Sequence, residues 1–269
     1  MKRIAHISDL HFGTEDPCVA EGLLEDLATH SPHLVCVSGD LTQRARRSQF
    51  LAARRYLDRI DAPKLIVPGN HDVPLYNVLD RFARPFAGYC ETISSELSPF
   101  FQDGEIAVAG VNTARSNTWK EGRISLAQMQ LLRCQFEGAS PQSFKILVSH
   151  HPFIPPESDM QASLVGRARE ALKMLETCGC ALILSGHLHH AYSGDVRTHH
   201  LEVTRSIVVA QAGTAISHRR RDEPNAYNQL AIEGDTLELL VRAWDGRRFA
   251  TVRESRYRHS DRGWMVEIR

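Results

Sequence analysis

Five times between Arg3 and His189 a short apolar run of strand length stops in a group of Asp, Asn or His side chains. The runs are Arg3 to Ile7, Leu34 to Ser38, Lys64 to Val67, Lys145 to Ser149 and Ala181 to Leu184. The groups that follow are Asp9-Leu10-His11, Gly39-Asp40, Gly69-Asn70-His71-Asp72, His150-His151 and Gly186-His187-Leu188-His189. Ionisable groups placed against a core are costly unless they are paired or hold a cation. Five strand ends that each carry them therefore constrain the fold to bring those ends to one polar centre, at the strand termini where α/β sheets place their sites.

The segments between the runs carry the 3.6-residue period of amphipathic helices. Val19, Leu23, Leu24 and Leu27 share one face, as do Phe50, Ala53, Leu57 and Ile60. Ser125 is a suitable cap for a helix to Phe136 whose face is Leu126, Met129, Leu132 and Phe136, and another helix is expected from about Leu164 to Leu175. Ile106 to Gly110 is a further strand. After Leu184 the period becomes two, at Val196 to Val203, Ser206 to Gln211, Tyr227 to Ile232, Thr236 to Trp244 and Phe249 to Arg258, with turns at Glu233-Gly234-Asp235 and Asp245-Gly246. Helix-linked strands followed by hairpins predict an α/β fold: a four-layer αββα sandwich of two mixed sheets flanked by helices, with antiparallel strands in the carboxy-terminal third. With no linker or repeat, a single domain over residues 1–269 is expected, in which strands from about 192 on complete the second sheet and form a cap or rim.

Charge separates the classes of partner. Lys plus Arg and Asp plus Glu both number 32, giving net charge +0 and a pI near 7.2. A dedicated nucleic-acid binder carries excess basicity, so nucleic acid is not the expected partner. The six cysteines form no C-x-x-C pair and are read as reduced thiols. Polar residues interrupt the opening MKRIAHISDLHFG before a signal-peptide core forms, and no stretch reaches the ~18 apolar residues of a membrane span. The expected location is cytoplasmic.

Read in order, the five groups spell D-x-H, G-D, G-N-H-D, H and G-H-x-H, and in this the chain resembles the calcineurin-like metallophosphoesterase superfamily. The resemblance implies two divalent cations, Mn, Fe or Zn: Asp9, His11 and His189 on one, Asn70, His150 and His187 on the other, and Asp40 bridging both. It implies hydrolysis of a phosphate ester by a hydroxide held between the cations. His71 is then the proton donor or transition-state stabiliser, with Asp72 orienting it by accepting its other N–H. Gly39, Gly69 and Gly186 stand beside these residues, where turns need unusual backbone angles. The opening I-S-D-L-H-F and the G-N-H-D block most resemble bacterial class III cyclic nucleotide phosphodiesterases and their glycerophosphodiesterase relatives. That implies a small phosphodiester substrate such as cyclic AMP or a glycerophosphodiester. The G-N-H-D histidine argues against the lipid A pathway hydrolases, which have arginine there. A phosphomonoesterase or nuclease using the same site is the alternative, and a metal-bearing scaffold without catalysis is the alternative of another class.

Residues outside the motif are weighed against plainer roles. Arg44, with Arg46 and Arg47, follows Asp40 in one loop and could fork onto a phosphate. Arg115, in the loop Asn112 to Asn117, is a weaker candidate for the substrate pocket. His6 reads as a packed histidine, and His151 and His190 as neighbours of the ligands. His199 and His200 fall in a strand-like segment, whereas His218 and Arg219-Arg220-Arg221 read first as a solvated loop and second as an attractor of anions. A homodimer through the late strands is left open.

Overall fold

A computed structural model of the protein describes residues 1–156, 159–189, 192–195, 206–220, 223–260 and 263–267. The expected strand at Val196 to Val203, and His190, His199, His200 and Arg221, lie outside the described residues. In chain order the elements are β1 (Lys2–Ile7), α1 (Pro17–His30), β2 (Leu34–Ser38), α2 (Arg47–Leu57), β3 (Lys64–Val67), α3 (Val78–Ala83), α4 (Ala87–Thr92), β4 (Phe100–Gln102), β5 (Ile106–Val111), α5 (Leu126–Gly138), β6 (Phe144–Ser149), α6 (Ala168–Thr177), β7 (Cys180–Ser185), β8 (Tyr192–Asp195), β9 (Val208–Gln211), β10 (Ala226–Glu233), β11 (Thr236–Trp244), β12 (Phe249–Ser260) and β13 (Gly263–Val266).

Two mixed sheets result. The first runs β13-β12-β11-β10-β1-β2-β3 and the second β4-β5-β6-β7-β9-β8. β1, β2 and β3 are parallel, as are β5, β6, β7 and β9. Because side chains alternate along a strand, each parallel strand feeds two cores. Ile4, Leu34 and Cys36 point to the layer between the sheets, where they meet Ile146, Val148, Leu182 and Leu184. Ala5, Ile7, Val35 and Val37 point the other way, onto Leu23 and Leu27 of α1 and Phe50 and Leu57 of α2. On the outer face of the second sheet Leu147, Ile183 and Val209 cover Met129, Leu132 and Phe136 of α5 and Leu172 of α6. The αββα layering is thus the burial pattern of the strands.

The late strands depart from expectation. β8 and β9 lie in the second sheet, but β10 to β13 extend the first, with β10 antiparallel to β1 and Leu230 opposite Ile4. The two-residue period of β10 and β11 tells which side chains face the core and says nothing of the neighbouring strand. Among the described residues no helix is long and apolar enough to cross a membrane.

Candidate metal centre

The loops after β1, β2, β3, β6 and β7 meet at one edge of the two sheets. The backbone bonds Asp9 N to Gly39 O, His11 N to Asp40 O and Gly186 N to His150 O tie them together. Seven side chains are gathered there: Asp9, His11, Asp40, Asn70, His150, His187 and His189.

The two carboxylates are arranged alike. Asp9 Oδ2 accepts from Ser8 Oγ at 2.7 Å and from the His187 N–H at 3.1 Å, while Oδ1 has no hydrogen-bond partner among the described residues. Asp40 Oδ1 accepts from the His71 N–H at 2.8 Å, while Oδ2 lies 3.8 Å from His11 Nε2 and 3.4 Å from His150 Nε2. One oxygen of each buried carboxylate is anchored by the chain and the other is aimed at imidazoles. Burial works against ionisation of both, yet His189 and His11 beside Asp9, and His150 and His71 beside Asp40, hold each carboxyl well below the ordinary range.

The imidazoles form two sets. His11 Nε2 lies 3.5 Å from Asp9 Oδ1, and His189 Nδ1 lies 3.8 Å from that oxygen. Asn70 Oδ1 is 3.1 Å from both His150 Nε2 and His187 Nδ1, which are 3.2 Å apart. Asp40 Oδ2 faces one member of each set. Three acceptor atoms at such separations, in a buried place, have the spacing of donors that converge on a cation. Burial, then the charge of His150, lowers the His187 imidazole to about 3, keeping it neutral.

The remaining ring nitrogens show how the rings are aimed. His150 Nδ1 donates to the Ser38 carbonyl at 2.8 Å, which turns Nε2 toward Asp40. His189 Nδ1 meets Thr214 Oγ1 at 2.7 Å, and that hydroxyl donates to the Arg219 carbonyl at 3.0 Å. His151 has a ligand-like position next to His150 and His187. Both its nitrogens are occupied, by Thr113 Oγ1 at 2.8 Å and the Lys120 carbonyl at 2.9 Å, so it packs beside the cluster. Ser8, Ser38 and Thr214 carry no motif signal and escape a reading of the sequence.

Backbone strain concentrates at the same place. Of the non-glycine residues in left-handed conformation, five are Asp9 (φ 54°), His11 (φ 48°), Asp40 (φ 53°), His187 (φ 75°) and His189 (φ 60°). Each such residue costs roughly 1–3 kcal/mol and persists where its surroundings over-determine it. Of the three motif glycines only Gly39 has positive φ, at 92°. Gly69 and Gly186 are required by space instead, since a Cβ on them would collide with Asp40 and with Ser8.

Three expectations about the rim need correction. Asp72 does not touch the His71 ring: its oxygens accept from the N–H groups of Leu41 (3.1 Å), Thr42 (2.9 Å) and Gly69 (2.9 Å) and from Thr42 Oγ1 (3.0 Å). It clasps the loops after β2 and β3, and the Gln43 carbonyl, 2.9 Å from His71 Nδ1, orients the histidine. Arg115 donates to the Arg123 carbonyl and Gln128 Oε1, both at 2.6 Å, and serves the cap of α5 rather than the cleft. Arg219, first read as part of a solvated loop, enters the cleft with Nη1 2.9 Å from His71 Nε2. With the Gln43 amide turned as its partners require, its oxygen accepts from Arg44 at 3.2 Å and Arg219 at 3.0 Å. Gln43, Arg44, Asn70, His71, Trp119 and Arg219 line a cleft of about 180 Å³ beside the centre.

Residues 2–191 match the calcineurin-like phosphoesterase family model. The chain belongs to the calcineurin-like phosphoesterase family, and so to a class of metal-dependent hydrolases. It is 26% identical over 208 residues, 70% of this chain and 74% of the other, to a Synechococcus sp. protein named "Probable cyclic nucleotide phosphodiesterase". Its fold resembles a purple acid phosphatase from yellow lupin (Lupinus luteus) seeds, with TM-score 0.70 and 14% identity over 93% of this chain and 52% of that one, so it spans about half the lupin enzyme. It also resembles a dimetal phosphatase from Danio rerio, with TM-score 0.65 and 12% identity over 93% of this chain and 98% of that one.

Proposed function

We propose that the chain hydrolyses small phosphodiesters, cyclic nucleotides or glycerophosphodiesters, with two divalent cations held by the seven gathered side chains. Asp9, His11 and His189 hold one cation, Asn70, His150 and His187 the other, and Asp40 serves both. The observation that carries this reading is the pair of buried carboxylates, each with one oxygen anchored by the chain and the other directed at imidazoles. His11, whose ring nitrogens have no hydrogen-bond partner among the described residues and whose Nε2 stands near both Asp9 and Asp40, suits a cation. Carboxylate, amide and imidazole donors without thiolate suit Mn, Fe or Zn. Such cations, when bound, acidify a water and neutralise the charge that grows on phosphorus.

The chain's own groups do the rest. The His71 Nδ1 proton is committed to the Gln43 carbonyl and Nε2 faces the cleft. For the departing alkoxide to take a proton there, Nε2 must carry a second proton, as in the imidazolium, with Arg219 Nη1, now 2.9 Å from that atom, turned to the phosphate instead. Arg44 and Arg219, on either side of the Gln43 amide, offer forked donors to the non-reacting phosphate oxygens. The name of the Synechococcus relative points the same way.

The test is a comparison of rates after chelation and reloading with manganese, on bis(p-nitrophenyl) phosphate, p-nitrophenyl phosphate and cyclic AMP. Metal-dependent cleavage is expected, fastest on the diesters. Turnover of the monoester alone would transfer the reading to a phosphomonoesterase, and no turnover at all would favour a scaffold.

A further inference from the structure

We propose that the indole of Trp119 is a stacking platform for a flat ring carried by the substrate, which makes the preferred diester a nucleotide rather than an aliphatic ester. The inference rests on the phosphodiesterase reading above. Trp119 is 65% exposed. A lone exposed apolar side chain is ordinary, but this one has a cation against one face and a backbone pinned beside the metal centre through two successive carbonyls. The guanidinium of Arg81 lies 5.2 Å from the ring centroid and backs one face. Arg81 is itself only 5% exposed, fixed by the carbonyls of Pro74 (2.9 Å) and Thr118. The Trp119 carbonyl accepts from Asn70 Nδ2 at 3.2 Å, and the next carbonyl, of Lys120, meets His151 Nε2 at 2.9 Å.

The backbone that carries the ring is therefore tied to the amide of a residue assigned to the metal centre, and the ring itself has a buried cation behind it and solvent in front. It lines the same cleft as His71, Arg44 and Arg219. A phosphate drawn by those arginines onto the centre would leave its ester substituent beside the indole. A purine or pyrimidine gains from such a surface whatever its hydrogen-bonding edge, because every base has a π-face, whereas a glycerol arm gains little. Arg81 adds to the platform by holding the indole still before substrate arrives, so less ordering is needed on binding.

The experiment compares two diesters with the same reacting centre, cyclic AMP and 1-O-methylribose 3′,5′-cyclic phosphate, which lacks the base. With the manganese-loaded chain, kcat/KM should favour cyclic AMP by about tenfold, mainly through KM. In Trp119→Ala that ratio should fall to about twofold or less, and Trp119→Phe should restore most of it. A ratio that is near one in the wild type, or equally large in Trp119→Ala, overturns the platform. Calorimetric binding of adenosine 5′-monophosphate against ribose 5-phosphate decides the same question without turnover: tighter nucleotide binding that disappears in Trp119→Ala supports the platform, and equal binding rejects it. If cyclic diesters are not cleaved, the phosphodiesterase reading falls on the rates while the binding comparison still judges Trp119.

Discussion

His6 and His11 leave the same stretch of chain and are both without solvent exposure, yet they are treated in opposite ways. His6, inside β1, has Nε2 2.9 Å from Ser38 Oγ and takes the Asn228 amide onto Nδ1 at 3.3 Å. His11, in the loop that follows, stands in left-handed backbone with neither ring nitrogen hydrogen-bonded among the described residues, 3.5 Å from Asp9 and 3.8 Å from Asp40. A buried polar group without a partner costs ~1–3 kcal/mol. A fold that satisfies one histidine and strains its backbone to leave the other unsatisfied is built around something that the second one binds. Burial alone does not distinguish a ligand from a packed residue; the account of its hydrogen bonds does.

The change that strikes hardest at the unsatisfied side is Asp40→Ala. Because Asp40 Oδ2 faces both donor sets, the expected outcome is complete loss of phosphoesterase activity, with weaker binding at both metal sites by titration. Full activity would overturn the assignment. His11→Ala sharpens the contrast at one site only: manganese affinity should drop by about 10²-fold or more, while the metal-free protein should lose less stability in urea than His6→Ala does, since packing is lost but no internal hydrogen bond among the described residues is broken. Were His11→Ala to unfold as readily as a core polar deletion, the distinction from His6 would be gone. His71→Ala comes next, with both metals retained and turnover slowed by ~10², because only the group facing the leaving oxygen is removed.

Much of this centre is legible in the sequence because each polar block is local. Asp9-Leu10-His11 or Gly186-His187-Leu188-His189 needs only a strand before it to be placed at a sheet edge. What escapes is long-range. Asp72 sits inside a block, but its partners Leu41 and Thr42 come from another loop, and only the fold shows that it clasps loops instead of steering His71. Arg219 reaches His71 from the far end of the chain, through a loop whose charges read as ordinary solvated surface. The late strands fail for a related reason: alternation in β10 sets its faces, but the choice of β1 as neighbour is made by tertiary packing. The left-handed conformations of Asp9 and Asp40 have only a weak signature in residue type: Asp, Asn and His enter that region more readily than other non-glycine residues, but most of them do not.

On the satisfied side, His6 predicts a pH dependence. Burial lowers its imidazole to about 3 from an ordinary value of 6.5. The unfolded chain therefore binds a proton that the folded chain refuses between those values. The stabilising contribution is complete above pH 6.5 and is lost as pH falls toward 3. Between pH 6.5 and 4.5 this group alone should remove roughly 2 kcal/mol of stability. Urea midpoints of the metal-free protein across that window should fall less steeply in His6→Gln than in the wild type. Parallel slopes would mean that His6 titrates normally and that its two hydrogen bonds do not hold it neutral.

The smallest expected effect belongs to Arg219, and its sign discriminates two roles. Its guanidinium stands 2.9 Å from His71 Nε2, the atom that faces the cleft, and it shares the Gln43 amide with Arg44. If Arg219 serves chiefly as a fork for phosphate oxygens, Arg219→Ala should raise KM for bis(p-nitrophenyl) phosphate by about tenfold and leave kcat within a few-fold, the loss of one charge-assisted contact. If instead it caps His71, its removal should free Nε2 and raise kcat. The first outcome is expected, because Arg44 occupies the other side of Gln43 and completes a two-armed anion seat. Arg219→Lys then restores less than half of the loss, since an ammonium cannot reach both the amide and a phosphate oxygen in one plane.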